Sequence, residues 1–197
     1  YFLFINFIFY LIYIYIYIMS YDNIERSKIV ITEMMNDRGY YFSETNDNNI
    51  IYTTPDRNKN TVVIFINDKK DITNKSLEKY VSNYNIETNN IILVVTFIDI
   101  NDNLLSKYIN YETPTMQIFH IKQLLFNITK HKYVPNHTIL TDVEKKEIDD
   151  LYNIKNIAKM KITDPVCRYY FAKIGDIIKI TRISNNSKEE INYRLCI

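Results

Sequence analysis

Residues Thr163–Ile183 read TDPVCRYYFAKIGDIIKITRI, and this stretch carries enough local signals to predict the fold around it. Asp164 is a good N-cap, because its carboxylate can accept from free N–H groups of a first helical turn, and Pro165 suits the first helical position. Gly175 is expected to close the helix in the left-handed conformation. Beyond it, Ile178 and Ile180 alternate with polar residues, which predicts a half-buried strand.

A second strand is expected where the sequence ends. Residues 184–190 are turn-like, and from Ile191 to Ile197 apolar residues again alternate with other types. Two such runs separated by a turn predict a hairpin. The C-terminal region is therefore expected to form a helix, a strand, a turn and a strand, with the hairpin packed on the helix.

Short motifs across the last third of the chain carry a family resemblance. They are Asn127-Ile128-Thr129, Val134-Pro135-Asn136-His137, Leu140-Thr141, Asp164-Pro165-Val166, Arg168-Tyr169, Ile174-Gly175-Asp176-Ile177-Ile178-Lys179-Ile180 and Tyr193-Arg194-Leu195. In this order they resemble the C-terminal assembly domain of the fifth subunit shared by eukaryotic nuclear RNA polymerases. The family that this resemblance indicates also includes the counterpart of this subunit in archaeal RNA polymerases.

Composition narrows the function classes. The 197 residues suffice for one or two domains, and 24 Lys and Arg against 23 Asp and Glu exclude a global basic field. Residues from Ile121 onward nevertheless carry an excess of basic side chains. Two cysteines, Cys167 and Cys196, support neither a disulfide framework nor a zinc site, and a reduced intracellular compartment is the simple inference.

The first eighteen residues contain only Tyr, Phe, Leu, Ile and Asn. All of these residue types can be encoded by codons made of A and T alone, and Met19 follows at once. We therefore expect Met19 to be the native start, with residues 1–18 representing translated upstream sequence or a disordered segment. The alternative is a membrane anchor, since eighteen apolar residues nearly span a bilayer.

Residues 19–120 are expected to form an α/β domain with a mixed, mostly parallel sheet. A helix over residues 21–38 ends at Gly39, and the stretch Asp37-Arg38-Gly39-Tyr40 again resembles the polymerase subunit. Continuous apolar runs at residues 61–66, 91–97 and 116–119 predict strands, with helices at 76–85 and 104–109 between them. The alternation of strands and helices implies parallel crossovers. The resemblance implies that this is the jaw domain.

Residues 121–197 are expected to form the smaller α+β assembly domain with its terminal hairpin. Pro135 sets an extended stretch, and Thr141 and Glu144 have the spacing of a capping box. The helix that follows is predicted to run to about Tyr152.

Catalytic and metal chemistry find little support in the sequence. His131 and His137 lack ligand-spaced partners, so no metal site and no cofactor are expected. The stretches beginning at Asp68 and Asp99 follow strands without the carboxylate and lysine arrangement of a metal-dependent nuclease, and they suit solvated loops. Cys167 is expected to be a small buried hydrophobic residue.

The resemblance implies a face that docks on the largest polymerase subunit, and arginine and tyrosine are enriched at buried contacts. The alternative, which the sequence leaves open, is that these residues are ordinary surface side chains and cross-strand pairs of the hairpin. The candidate partner-binding residues are Asp164, Pro165, Val166, Arg168, Tyr169, Lys179, Arg182, Tyr193 and Arg194.

The resemblance therefore implies a non-catalytic subunit of a DNA-directed RNA polymerase, with its jaw beside downstream duplex DNA. Any non-specific contact between this domain and DNA phosphates would have to come from a local cluster of basic residues. The candidates are Lys69, Lys70, Lys75, Lys79 and Lys107. Two rivals are a stand-alone α/β DNA-binding or nuclease-like protein and a membrane-anchored protein using residues 1–18. The compartment would be host cytoplasm or virion for a viral protein and the nucleus for a cellular one.

Overall fold

A computed structural model describes residues 21–46, 49–56, 58–84, 91–99, 116–182 and 189–197. The chain forms two compact units, and among the described residues unit 1 ends at Phe126 and unit 2 begins at Asn127. The sequence placed this boundary at residue 121. The expectations for residues 1–18, for a helix at 104–109 and for Lys107 fall outside the described residues.

Unit 1 begins with helix α1, residues 21–37, which buries Ile31, Met34 and Met35 completely. Beyond the helix the Gly39 N–H donates to the Asn36 carbonyl at 2.9 Å, and the Tyr40 N–H donates to the Met35 carbonyl at 2.8 Å. This is a Schellman closure, which requires a residue in the left-handed conformation. Gly39, with φ +82°, provides it at the position where the helix was expected to stop.

A five-stranded mixed sheet forms the centre of unit 1. Its strands are β1 Tyr41–Asn46, β2 Asn49–Thr53, β3 Asn60–Ile66, β4 Ile91–Thr96 and β5 Met116–His120, in that spatial order. The first three strands pair antiparallel, while β3, β4 and β5 pair parallel. The mixed α/β architecture is confirmed, and the parallel pairing is confined to the three strands with apolar runs.

Helix α2, Asn74–Asn83, covers one face of this sheet. Its Leu77 is fully buried against alternate residues of three strands, among them Val62, Ile92 and Ile118. The residues between them, such as Val63 and Leu93, are also fully buried. The central strands are therefore covered on both faces, as their continuous apolar sequences predicted.

Unit 2 is built on a four-stranded sheet in the spatial order β6, β8, β9, β7. The strands are β6 Asn136–Ile139, β7 Lys159–Met160, β8 Ile177–Arg182 and β9 Glu190–Cys196. The strands β8 and β9 pair antiparallel, which confirms the terminal hairpin. The short strand β7 adds a parallel pair on the far side of β9.

Each face of this sheet has its own apolar cluster. Helix α4, Pro165–Tyr170, places Cys167 against Ile178, Ile180 and Cys196 on one face. Helix α3, Asp142–Tyr152, places Ile148 on the other face in a cluster with Ile177. The sequence pattern predicted packing on α4, but not the second layer formed by α3.

The N-terminus of α3 is closed by reciprocal side-chain bonds. The Glu144 carboxylate accepts from the Thr141 N–H at 2.8 Å, and the Thr141 hydroxyl oxygen accepts from the Glu144 N–H at 3.4 Å. These are the two bonds of a capping box. The pKa of the Glu144 carboxyl is lowered, first by its bond from the Thr141 N–H and then by a bond from the Thr141 hydroxyl.

The C-terminus of α4 requires a correction. Phe171, and not Gly175, closes the helix, with φ 58° and ψ 38° in the left-handed region. Gly175 has φ +86° and lies four residues later, in the turn that leads into β8. There its N–H donates to the Cys196 carbonyl at 2.9 Å. Its conformational freedom therefore serves the entry to the hairpin.

Candidate partner-binding surface

The candidate residues at and near helix α4 differ in how deeply their side chains are buried. Asp164 caps the helix by accepting from the Val166 N–H at 2.8 Å, and the adjacent Pro165 is exposed. Val166 and Tyr169 are only 6% and 4% exposed. These two side chains therefore belong to the interior of unit 2.

Tyr169 has a defined structural role. Its hydroxyl oxygen accepts from the Asn127 side-chain amide at 2.9 Å, in a bond that is buried. Asn127 also accepts from the Thr129 N–H at 2.9 Å, so it fixes the short 3₁₀ turn Ile128–Lys130. A buried tyrosine hydroxyl usually finds a partner of this kind. The bond therefore ties the first residues of unit 2 to helix α4.

Arg168 lies between these buried residues and the surface. Its side chain is partly buried, and this burial lowers the pKa of the guanidinium. A guanidinium has such a high ordinary pKa that it stays charged. Arg168 therefore places a fixed positive charge beside the apolar interior of unit 2.

The hairpin divides the remaining candidates between its two faces. Lys179 pairs directly with Tyr193, while Arg194 pairs with Ile178. Because side chains alternate along a strand, Lys179 and Tyr193 share the α3 face and Arg194 lies on the α4 face. The ring of Tyr193 lies 6.2 Å from that of Tyr152. The expected single basic and aromatic set is thus split by the sheet.

Arg182 lies in a surface cleft of about 680 Å³ at the β6 side of the sheet. Lys132 and Tyr133 line the same cleft, and the Lys132 ammonium lies 5.5 Å from the centre of the Tyr133 ring. Tyr133 is 80% exposed, the largest exposed fraction of any large apolar side chain in the described residues. The cleft therefore combines two cations, the carboxylate of Glu189 and an exposed aromatic ring.

A second exposed feature was missed by sequence reasoning. Val143 and Leu151 of α3 are 71% and 73% exposed. Leu151 lies three residues after the buried Ile148 and so on a neighbouring part of the helix surface, which means that only part of this apolar side is covered. Helical spacing does not separate Leu151 from Ile148, so no local sequence signal predicts that one is exposed and the other buried.

The lysines proposed to lie near DNA follow β3 in the sequence of unit 1. Lys70 is exposed after β3, and Lys69 belongs to the 3₁₀ turn Lys69–Asp71. Lys75 and Lys79 are exposed and lie four residues apart on α2, which places them on one helix face, away from the buried Leu77. Three exposed carboxylates are close to them in sequence: Asp68 precedes the first lysine, and Asp71 and Glu78 lie between the lysines.

The carboxylates that follow the parallel strands lie at one edge of the sheet. Asp68 follows β3 and Asp99 follows β4, and the Asp99 carboxylate lies 3.4 Å from Nε2 of His120 at the end of β5. In the described part of the chain, no three His, Cys, Asp or Glu side chains form a group suited to a metal ion.

Comparisons with known proteins locate the chain in a family. The family model described as RNA polymerase Rpb5, C-terminal domain, matches residues 126–196. A Dictyostelium discoideum protein named DNA-directed RNA polymerases I, II, and III subunit rpabc1 is 30% identical over 142 residues, which are 70% of this chain and 72% of that protein. The chain belongs to the RNA polymerase subunit 5 family.

Archaeal members of the subunit 5 family are also similar. Proteins named DNA-directed RNA polymerase subunit Rpo5 from Methanosarcina barkeri and Methanothrix thermoacetophila are 40% and 42% identical over 74 residues. Each match covers 36% of this chain and 95% of the archaeal protein. The family model and unit 2 have nearly the same bounds, so the family domain corresponds to a compact unit of this structure.

Within the described ranges, no helix combines the length and the apolar character needed to cross a bilayer.

Proposed function

We infer that this subunit 5 family member is a non-catalytic subunit of a multisubunit DNA-directed RNA polymerase and takes part in transcription. The family match of unit 2 carries this inference, together with a relative that is similar over most of both chains. In unit 2 the side chains of Thr141, Asp164 and Asn127 cap helices or tie elements together, which is a structural use of these polar groups. Nucleotidyl transfer is assigned to another chain, and this chain is proposed to be inactive by itself.

Attachment to the largest polymerase subunit is proposed to run through unit 2. The cleft with Lys132, Tyr133 and Arg182 is the best-supported contact surface, because an exposed aromatic ring beside cations is the composition of interface hot spots. Pro165 and the partly buried Arg168 extend the candidate surface on the α4 side of the sheet. Lys179 and Tyr193 belong to the opposite sheet face and are proposed as a separate contact.

Affinity capture with the tagged full chain tests this proposal. In cells that express the chain, the two largest polymerase subunits should be recovered and identified by mass spectrometry. Arg182→Glu and Tyr133→Ala should each reduce that recovery about tenfold or more, as expected for hot-spot residues. Lys155→Glu is the matched control, because Lys155 is an exposed cation of unit 2 outside the cleft.

The two parts of the proposal fail in different ways. If the wild-type chain recovers no polymerase subunit, the inferred function is wrong. If Arg182→Glu and Tyr133→Ala both retain full recovery, the function stands and the cleft is not the contact surface.

Unit 1 is proposed to lie beside downstream duplex DNA, with phosphate contacts from Lys70, Lys75 and Lys79. Lys75 and Lys79 share a helix face. Lys75 follows the 3₁₀ turn Lys69–Asp71, which carries Lys70, by four residues. Each phosphate contact that is lost should reduce the salt dependence of DNA binding by about 0.9 in the log–log slope. The triple change of these lysines to Glu in the assembled polymerase should therefore flatten the slope, whereas Lys59→Glu should leave it unchanged. An unchanged slope in the triple variant would remove these lysines from the DNA surface.

The stand-alone nuclease-like rival is tested on the purified chain. Incubation with duplex DNA and Mg²⁺ should leave the DNA intact. If DNA is cut, and Asp99→Asn or His120→Ala abolishes the cutting, the pair at the sheet edge is catalytic and the non-catalytic role is wrong.

The compartment follows from the complex and is part of the proposal. A cellular member would work in the nucleus, and a viral member in the host cytoplasm or virion.

A further inference from the structure

The two cysteines of this chain lie 29 residues apart in sequence and in contact in space. The Cys167 and Cys196 sulfurs are 3.8 Å apart, and both side chains are buried, at 0% and 1% exposure. Cys167 lies on helix α4 and Cys196 at the end of strand β9. The sequence contains two cysteines, and this contact joins them.

We propose that Cys167 and Cys196 form a redox-active dithiol pair, which an oxidant of the peroxide class converts into a disulfide between α4 and β9. The sulfurs would have to approach from 3.8 Å to about 2.05 Å. Both belong to one apolar cluster with Ala172, Ile178 and Ile180, so each sulfur already has the other as a neighbour.

The contact also makes the two sulfurs chemically unequal. The hydrogen bond between the thiols raises the pKa of Cys167 and lowers the pKa of Cys196. Cys196 is therefore the sulfur that ionises first, and a thiolate rather than a thiol attacks an oxidant. The surroundings are apolar, and the nearby charges of Asp164 and Asp176 oppose ionisation of both thiols. Reaction should consequently be slow unless the pair is exposed by local opening.

The oxidation balances with hydrogen peroxide as the oxidant. The Cys196 thiolate attacks one peroxide oxygen, the O–O bond breaks, and a sulfenic acid forms with release of water once the leaving hydroxide takes a proton. The Cys167 sulfur then attacks the Cys196 sulfur, the S–O bond breaks, and the released hydroxide takes the Cys167 proton. Two thiols and one peroxide give one disulfide and two waters.

The cross-link would close a loop that contains the end of α4 and nearly the whole hairpin. Such a closure limits the freedom of the unfolded chain, which stabilises the folded unit when the native geometry accepts the bond. The reduced pair, by contrast, contributes only packing and one weak hydrogen bond. The oxidised and reduced chains should therefore differ in thermal stability.

Peptide mapping of the full chain tests the pair directly. The folded chain is treated with hydrogen peroxide, free thiols are blocked by alkylation, and the chain is cut with trypsin without reduction. Trypsin separates Ile162–Arg168 from Leu195–Ile197, so the two peptides stay together only through a disulfide. We expect a linked peptide about 2 Da lighter than the sum of its parts, and a midpoint of thermal unfolding that rises on oxidation and returns with dithiothreitol.

Three results would overturn the proposal. They are two alkylated thiols after peroxide treatment, sulfinic acid at either cysteine as the main product, and disulfides between two copies of the chain. Cys167→Ala and Cys196→Ala serve as matched controls, since neither should show the dithiothreitol-reversible rise. The wild-type comparison with and without peroxide keeps the test valid if a variant fails to fold. Because it measures the isolated chain, its failure leaves the polymerase assignment untouched.

Discussion

The sheets of the two units are covered to different extents. In unit 1, β4 buries five consecutive side chains and leaves only Ile91 partly exposed. In unit 2, β9 buries only Cys196 completely, while Tyr193, Arg194 and Leu195 remain partly exposed. A strand that is covered on both faces has no side chains left for a partner. The central strands of unit 1 therefore serve its core, whereas the hairpin of unit 2 serves both its core and its surface.

The largest expected effect is the loss of a core side chain from either sheet. Leu93→Ala in unit 1 and Ile178→Ala in unit 2 each remove a fully buried side chain, and each should lower the free energy of unfolding by about 2–5 kcal/mol. In peptide-resolved hydrogen exchange, each variant should lose protection mainly in the unit that carries the substitution. Ile29→Ala and Ile191→Ala are the exposed controls, and equal losses in these controls would contradict the burial difference.

These two positions show what the sequence predicts well. Leu93 lies in a continuous apolar run, which predicted a strand covered on both faces, and Ile178 lies in the alternating run that predicted one hairpin strand. The second layer on unit 2 was not predictable in the same way. Ile177 is as buried as Ile178, yet its neighbours in sequence give no sign that α3 covers its face.

The candidate surface was less predictable than the fold, because exposure depends on long-range packing. Tyr169 and Tyr133 are the same residue type, yet one is 4% and the other 80% exposed. The buried partner of Tyr169 is Asn127, which lies 42 residues away in sequence. Likewise, the contact between Cys167 and Cys196 depends on α4 and β9 meeting, and no local spacing encodes it.

The second prediction uses these two tyrosines. Tyr169→Phe leaves the buried Asn127 amide without its hydroxyl partner at 2.9 Å, which should cost about 1–3 kcal/mol of unfolding free energy. Tyr133→Phe removes an exposed hydroxyl and should cost almost nothing. Urea denaturation of both variants measures the difference. A Tyr169→Phe variant as stable as the wild type would show that the buried bond is not needed in unit 2.

The third prediction compares the two glycines, one in each unit. Gly39 and Gly175 have φ values of +82° and +86°, so alanine should cost about 1–2 kcal/mol at either position through backbone strain alone. Steric conflict adds nothing, because an added Cβ at Gly39 has no neighbour within 4 Å and at Gly175 only the Lys145 ammonium at 4.0 Å. Asparagine tolerates this conformation better, so Gly→Asn should cost less at both sites in thermal denaturation. Equal costs for Ala and Asn would point to a cause other than φ.

The smallest expected effect concerns the capping box of α3. In unit 1, Thr73 caps α2 from one side, whereas His120 and Gln123 form a reciprocal capping box at the 3₁₀ turn Ile121–Leu124. Thr141→Ala should cost about 1 kcal/mol of stability, and Thr141→Ser, which keeps the hydroxyl, should cost much less. Thermal denaturation of the two variants measures the difference, and equal costs would show that the hydroxyl does not cap the helix.

The capping box also gives a pH dependence, because its bonds lower the pKa of Glu144 in the folded chain below the unfolded value. This contribution is complete above the ordinary glutamate pKa and is lost as the pH falls through the folded pKa. The wild type should therefore lose a small amount of stability as the pH falls through this range, and Glu144→Gln should not show that loss. If urea denaturation at a series of acidic pH values gives parallel curves for the two proteins, the carboxylate of Glu144 does not stabilise α3 through its charge.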